Sequence, residues 1–471
     1  MPLLLDRRSL FTATAALTVC GATRVQRVYA QGSPIRLTAE RRVLDVNGRP
    51  ASVFGIRQPN GMAGVVLDPG QRFAVALANG SGEPTIIHWH GQTPPVMQDG
   101  VANTGLETLV AAGAAQTYDF APRPGTHWMH SHHGLQEQAL MAAPLIVRTA
   151  EDAAADMQEV TVLLHDFSFR DPAEILAGLT DGTDMKAMGA APSMGMPGDA
   201  PDLNDIEYDA YLANDRTLAD PLVVHVTRGG RVRLRLINGA ASTAFWIDLG
   251  ALEGMVVAVD GNAVTPLRVK RLPMAQAQRV DVILTLPPGG GSFPVLAQRE
   301  GDRKRTGIVL ATPGAVVAKV SGDADEVAPA VDNSMEQRLR ALKPLRTRGA
   351  DLVHKVELSG AMMPYAWLMD GHTWADHKPL VVTKGQRVEV EISSRSGMAH
   401  PMHLHGHHFQ ITALNGTPVS GAVRDTVLVP ANGSVRVAFD ADNPGRWLFH
   451  CHNLYHMAAG MMTEVQYDEA S

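Results

Sequence analysis

Three stretches of this chain are variations on one phrase: LDPGQRFAVAL from Leu67 to Leu77, VTRGGRVRLRL from Val226 to Leu236, and VTKGQRVEVEI from Val382 to Ile392. The copies are offset by 159 and 156 residues. A chain of 471 residues holds three such units at the usual ~150 residues per domain. Each copy sets a Gly turn before an Arg-led alternation of period two, the pattern of a half-buried strand in an antiparallel sheet. Asn-Gly pairs at Asn47-Gly48, Asn60-Gly61, Asn238-Gly239 and Asn415-Gly416 fall between short β-branched runs, as hairpin turns do. The sequence predicts an all-β protein of three tandem Greek-key β-sandwich or barrel domains. The expected domains are 31–150, 151–315 and 345–471, with a linker rich in Ala, Asp and Glu at 316–344. A stretch near 172–205, containing Met185, Met188, Met194 and Met196, reads as a mobile insertion in the second domain.

The first 30 residues read differently. Arg7 and Arg8 precede Leu10 and Phe11 and a short apolar run to Gly21, and Val28-Tyr29-Ala30 ends in small residues suited to cleavage. The run is too short to span a bilayer, so 1–30 is expected to be an export signal, of twin-arginine type by its paired arginines. An ordinary secretory signal is the alternative; a lipoprotein signal at Cys20 fits less well, because Val19 is large. Cleavage would remove four Arg and one Asp, taking the net charge from −7 to −10. So acidic a chain disfavours non-specific nucleic-acid binding, and no later apolar run predicts a membrane span. A periplasmic or secreted protein is expected, with one remaining cysteine, Cys451, and hence no internal disulfide.

The chain is rich in His (19) and Met (21). His88 and His90 of HWHG, carried across the repeat without gaps, fall on Ile247 and Leu249 in the second copy and on His403 and His405 in the third. Aligning Gly125, Gly291 and Gly445 matches His130 and His132 with Leu296 and Gln298, and then with His450 and His452. A lone His in a strand is usually a satisfied structural residue. Four His-x-His pairs at equivalent places in two of three copies are different, because alternate strand residues share one face. If the outer copies pack together, eight imidazoles converge, enough for more than one ion of copper, iron or zinc. The middle copy then acts as a spacer. The last copy adds His400, Cys451, His456 and Met461: two imidazoles, one thiolate and a thioether, the ligand set of a blue-copper electron-transfer centre. Zinc suits this set poorly, since structural zinc sites prefer four strong ligands.

Taken together, HWHG, HSH, HPMHLHGH and HCHNLYHMAAGMM resemble the four copper motifs of the multicopper oxidases, specifically the three-domain bacterial laccase-like group, across essentially the whole mature chain. The resemblance implies cupredoxin-like domains and four copper ions. His400, Cys451, His456 and Met461 match the type 1 ligands. His88 and His403 match the type 2 ligands, and His90, His130, His132, His405, His450 and His452 the type 3 pair. It implies one-electron oxidation of a reductant at type 1 and reduction of dioxygen to water at the trinuclear cluster. Cys451, bonded to both His450 and His452, is the electron route. Asp99, in QDGV, matches a family acid near the type 2 copper and is the candidate proton handler. A second acid, carried by some relatives directly after the type 1 His, is replaced by Met457. His127, His133, His407 and His408 are expected to support rather than ligate, and Asp425 in RDTV to be structural.

The partners implied are dioxygen and a small-molecule or metal-ion reductant, acting on a monomer. Phenols and aromatic amines follow from the likeness to laccases; cuprous ion competes, because methionines of the 172–205 segment are soft ligands. Ferroxidase activity lacks a clear acidic cluster. The alternative class is a copper-tolerance protein that acts as a cuprous oxidase or sequesters copper without turnover.

Overall fold

The computed structural model describes residues 33–183 and 203–468. The expected export signal and the four methionines of the 172–205 segment lie outside the described residues. Described elements are almost all strands, gathered in six sheets, each pair of sheets drawn from one stretch of chain. The first pair has the spatial orders Arg49–Arg57, Ile35–Val46, Phe73–Gly80, Ala115–Phe120 and Val65–Leu67, Ala142–Val147, Gly125–Ser131, Ile87–His88. The second pair, of six and five strands, uses Gln158–Phe167 through Arg305–Ala311. The third pair, of seven and five strands, uses Leu352–Met362 through Met462–Tyr467. This is an all-β fold of cupredoxin-like domains.

The repeated phrase forms the same strand three times: Phe73–Gly80, Arg231–Asn238 and Arg387–Ser394. Its surroundings differ from expectation. Each copy pairs antiparallel on one side, with Ala115–Phe120, Arg279–Thr285 or Ser434–Asp440, but parallel to the opening strand of its own sheet on the other. The period-two pattern records which face is buried, and is blind to strand direction. Val75, Leu77, Ile87, Trp89 and Met129 fill the space between the first two sheets. A continuous core runs through the other two pairs, from Val160 to Tyr467.

Asn47-Gly48 and Asn415-Gly416 close tight hairpins with both residues at positive φ, as a type I′ turn requires. Asn238 does not turn a hairpin: it ends its strand and donates its side-chain amide to Thr243 O and Met274 O. Part of the expected mobile insertion is ordered. Pro172–Thr180 is an α-helix, started by Pro at its first turn and by the Asp171 cap on Ala173 N, and seated by Ile175 and Leu179. The 316–344 stretch holds no strand or helix, yet it lies against the sheets, with Met335 and Leu339 in the core and Glu336 accepting from Arg424.

The middle copy corrects a register. His88 faces His130 across its ladder and His403 faces His450, but it is Asp248 that faces Leu296. Ile247 points into the core, so the counterparts of His88 and His403 are Asp248 and, by face, not Ile247; Leu249 likewise yields to Gly250. An ungapped offset slipped by one residue, which in a strand exchanges faces. The conclusion is unchanged, since none of these positions offers a set of metal ligands.

Candidate metal centre

Each His-x-His pair rides on a strand or just beyond its end. Ile87–His88 and Gly125–Ser131 supply the first-copy pairs, and His400–Leu404 and Arg446–Cys451 the third-copy pairs. Glycine lets the chain leave these strands. Gly100, at φ +81, lies so close to the His88 strand that a Cβ would stand 1.8 Å from Ile87 O, which brings Asp99 against His88. Gly91, at φ +86, has Arg279 Nη2 and His127 Nδ1 each 2.5 Å from where a Cβ would be.

The structure brings all eight predicted imidazoles together, each at most 7% exposed. The ligand groups that the resemblance implies are each in contact, and across them His88 stacks on His405 at 3.9 Å and His90 on His403 at 3.7 Å. His90, His130 and His452 form one triangle, with ring centroids 5.6, 5.1 and 5.1 Å apart. His132, His405 and His450 form another, at 5.2, 5.3 and 5.1 Å. His88 and His403 make a pair at 5.8 Å. Every group mixes residues of the first and third copies.

One ring nitrogen of these imidazoles is typically held from behind. His88 Nδ1 donates to Asp99 O at 2.9 Å, His403 Nδ1 to Asp425 O at 2.8 Å and His450 Nδ1 to Cys451 O at 2.9 Å. His405 Nδ1 donates to Asp99 Oδ2 at 2.8 Å, and His130 Nδ1 meets Glu137 Oε2 at 2.6 Å. The nitrogens left over are buried and unpartnered: Nε2 of His88, His130, His403 and His452, Nδ1 of His90, and both of His132. His405 Nε2 and His450 Nε2 face each other at 2.9 Å. Orphaned buried acceptors are costly unless something occupies them. Burial, reinforced by neighbouring imidazoles, pushes His130, His132, His405 and His452 well below the ordinary histidine value; for His90 and His403 burial again dominates. Neutral imidazoles with free lone pairs suit a metal.

The second site lies in the third copy. Cys451 ends its strand, His456 sits on the short helix Leu454–Ala458 capped by Asn453, and Met461 is fully buried just beyond it. His400 Nδ1 and His456 Nδ1 are 3.1 Å apart, and Cys451 Sγ lies 3.8 and 3.7 Å from them. Behind the ligating nitrogens, His400 Nε2 meets Ser396 Oγ at 2.6 Å and His456 Nε2 meets Asp205 Oδ2 at 2.9 Å. Burial pushes the Cys451 thiol well up, so a cation must take the proton's place before this sulfur becomes a thiolate. The donor set fits copper in both places.

Several supporting residues had no sequence signal. Glu137 lies against His130 and His452; Asp205 comes from the second copy to His456; Arg279 holds Asp425. Asp425, together with His90 and His403, could by proximity hold an ion. Both its oxygens are taken by Arg279, which makes it a supporting group, as its RDTV context suggests. His127 and His407 are buried and His408 is partly buried, and they hydrogen-bond to Pro124 O, His405 O and Gly91 O respectively.

A pocket of neutral imidazoles joined through one cysteine to a two-imidazole sulfur site defines a metal-dependent redox protein. Three models described as multicopper oxidase match this sequence at 41–152, 159–315 and 349–471. Multicopper oxidase MmcO of Mycobacterium tuberculosis is 33% identical over 412 residues, 84% of this chain and 80% of its own. Copper resistance protein A of Escherichia coli is 26% identical, covering 93% of each chain. The laccase of Botrytis aclada shares the fold with a TM-score of 0.76 at 24% identity, over 93% of this chain and 88% of that one. The chain belongs to the multicopper oxidases, copper-dependent oxidoreductases with dioxygen as acceptor.

Proposed function

We propose that this chain is a laccase-like oxidase with four coppers, taking single electrons from a phenol, an aromatic amine or a metal ion and delivering them to dioxygen. His400, Cys451, His456 and Met461 hold the type 1 copper. His88 and His403 hold type 2, and the two histidine triangles hold the type 3 pair. The observation that carries this reading is the convergence of eight buried imidazoles, six of them with an unpartnered ring nitrogen, around Cys451, which is bonded to a member of each triangle. The coppers, when bound, supply reversible one-electron chemistry and a place for dioxygen. The protein supplies the rest: Cys451 spans the two sites, burial excludes water, and Asp99 bridges His88 and His405 where protons are needed. The working organisation is a signal at 1–30, domains at 31–150, 151–315 and 345–471, and a linker at 316–344, in a periplasmic or secreted monomer.

A second reading, cuprous oxidation or copper sequestration in copper tolerance, is favoured by the relatives named copper resistance protein A and by the four methionines of the 172–205 segment. Oxygen uptake with a phenol, with Cu(I) and with neither, alongside a copper count and the visible spectrum, separates these. A blue protein consuming oxygen with a reductant is expected, with Cys451→Ser colourless and inactive. A colourless wild-type protein holding fewer than about three coppers after reconstitution would sink the assignment.

A further inference from the structure

The cluster is assembled from two copies of the repeat, so its geometry depends on something that ties a first-copy imidazole to a third-copy one. We propose that Glu137 is that positioning residue: its carboxylate braces His130 and His452 from the side opposite their free nitrogens, and so fixes one copper of the type 3 pair between the copies. This rests on the copper-oxidase reading of the site.

Glu137 is 3% exposed. Its Oε2 is 2.6 Å from His130 Nδ1, which also has Ser131 O at the longer distance of 3.2 Å, while its Oε1 has no hydrogen-bond partner and lies 3.9 Å from His452 Nδ1. Those two imidazoles are corners of one triangle, and each turns an unpartnered Nε2 the other way. The third corner, His90, presents a free Nδ1 and is braced on Nε2 by Asp425 Oδ1 at 3.2 Å and Thr426 Oγ1 at 3.3 Å. A copper on Nε2 requires the proton to sit on Nδ1, and that N–H requires an acceptor. A carboxylate there selects the tautomer, fixes the ring and strengthens the ligand.

The segment around Glu137 is built to hold it still. Gln136 accepts from Thr85 Oγ1 and Ser131 Oγ, both at 2.7 Å, and donates to Glu83 Oε1 at 2.7 Å, all within the first copy. Gln138 reaches the second copy instead, donating to Asp166 Oδ1 at 3.2 Å and accepting from Tyr208 OH at 2.8 Å. Both neighbours of Glu137 are thus fixed by side-chain hydrogen bonds, one within the first copy and one to the second. The sequence showed no acid after His456, where Met457 stands; the fold supplies a carboxylate to the cluster from the first copy.

The test compares copper-loaded wild type with Glu137→Leu and Glu137→Gln. Chelator competition, the blue band and the EPR-visible fraction of copper are read on each. In Glu137→Leu the blue band and type 1 affinity should be unchanged, while cluster copper binds about 10–100-fold more weakly. EPR-visible copper per bound copper should rise as the spin-coupled pair is lost. Glu137→Gln should recover most of the affinity, because its amide oxygen still accepts from Nδ1–H. Copper-free Glu137→Leu should unfold at a denaturant concentration close to that of wild type, since Ser131 O remains as an acceptor for His130 Nδ1 and the desolvation cost of the buried carboxyl is removed with it. The proposal is overturned if Glu137→Leu keeps wild-type cluster affinity and EPR-silent copper, if type 1 and cluster copper are lost together, or if the Gln variant is as defective as the Leu one. A wild type that binds no cluster copper overturns the functional reading beneath it.

Discussion

Replacing Arg279 by Met should be among the most destabilising single changes in this protein. Arg279 is fully buried and belongs to the second copy, yet Nη1 donates to Asp425 Oδ1 of the third at 2.7 Å, Nη2 donates to Asp425 Oδ2, and Nε donates to Thr126 O of the first at 3.3 Å. Asp260 Oδ1 is 3.6 Å away and is held separately by Arg424. Methionine fills much of the same length, so the loss is mainly electrostatic: a buried carboxylate stripped of its cation. Breaking such a pair costs about 3–5 kcal/mol, whereas an exposed pair is worth about 1 kcal/mol or less. Burial alone would push the Asp425 carboxyl up, but the Arg279 guanidinium overrides it and holds the group well below the usual carboxylate range. A depressed carboxyl contributes stability that is complete above its unfolded value and is lost only as the pH falls toward the folded one. In Arg279→Met the depression is gone and burial raises the Asp425 carboxyl, which can then take up a proton, so the penalty should be largest at pH 7 and should shrink as the pH falls toward 5, where the wild-type contribution is still complete. Urea unfolding of copper-free protein measures it, with Asp425→Asn and the double variant completing a cycle whose coupling should be about 1–3 kcal/mol. A penalty below about 1 kcal/mol, or additive single effects, would refute the claim that this junction is dry and paired.

Two further outcomes are expected. Asp99→Ala removes the acceptor 2.8 Å from His405 Nδ1, so it should leave the blue band intact while slowing reoxidation of the reduced protein by oxygen about 10–100-fold, followed by stopped flow. Burial pushes the Glu300 carboxyl up to about 7. A raised acid binds its proton more tightly folded than unfolded, so the Glu300 contribution to stability should fall as the pH rises from about 4.5 through 7, by an amount on the order of 3 kcal/mol. Glu300→Gln, whose amide oxygen can still accept from Val331 N, should flatten that dependence in copper-free unfolding curves; an unaltered profile would contradict it.

The candidate ligands were readable because His-x-His and the spacing from Cys451 to Met461 are local: strand alternation and one short helix turn place them without help from distant residues. The supports were not. Glu137, Asp205 and Arg279 carry no motif, and each acts on a histidine or aspartate from another copy. The assignment of Ile247 failed for a related reason: an offset counted along the chain is blind to the one-residue shift that the ladder of Asp248 and Leu296 reveals.

By itself the sequence determined that this is a β protein carrying one phrase three times, with candidate copper ligands beside the outer two copies, because period-two alternation and ligand chemistry are properties of neighbouring residues. The tertiary structure decided which imidazoles lie together, which of their nitrogens stay free, and that the middle copy is more than a spacer, since it sends Arg279 and Asp205 into the supports of both candidate sites. Those outcomes depend on burial and on contacts between residues hundreds of positions apart, where desolvation sets whether a lone pair or a charge can be left alone.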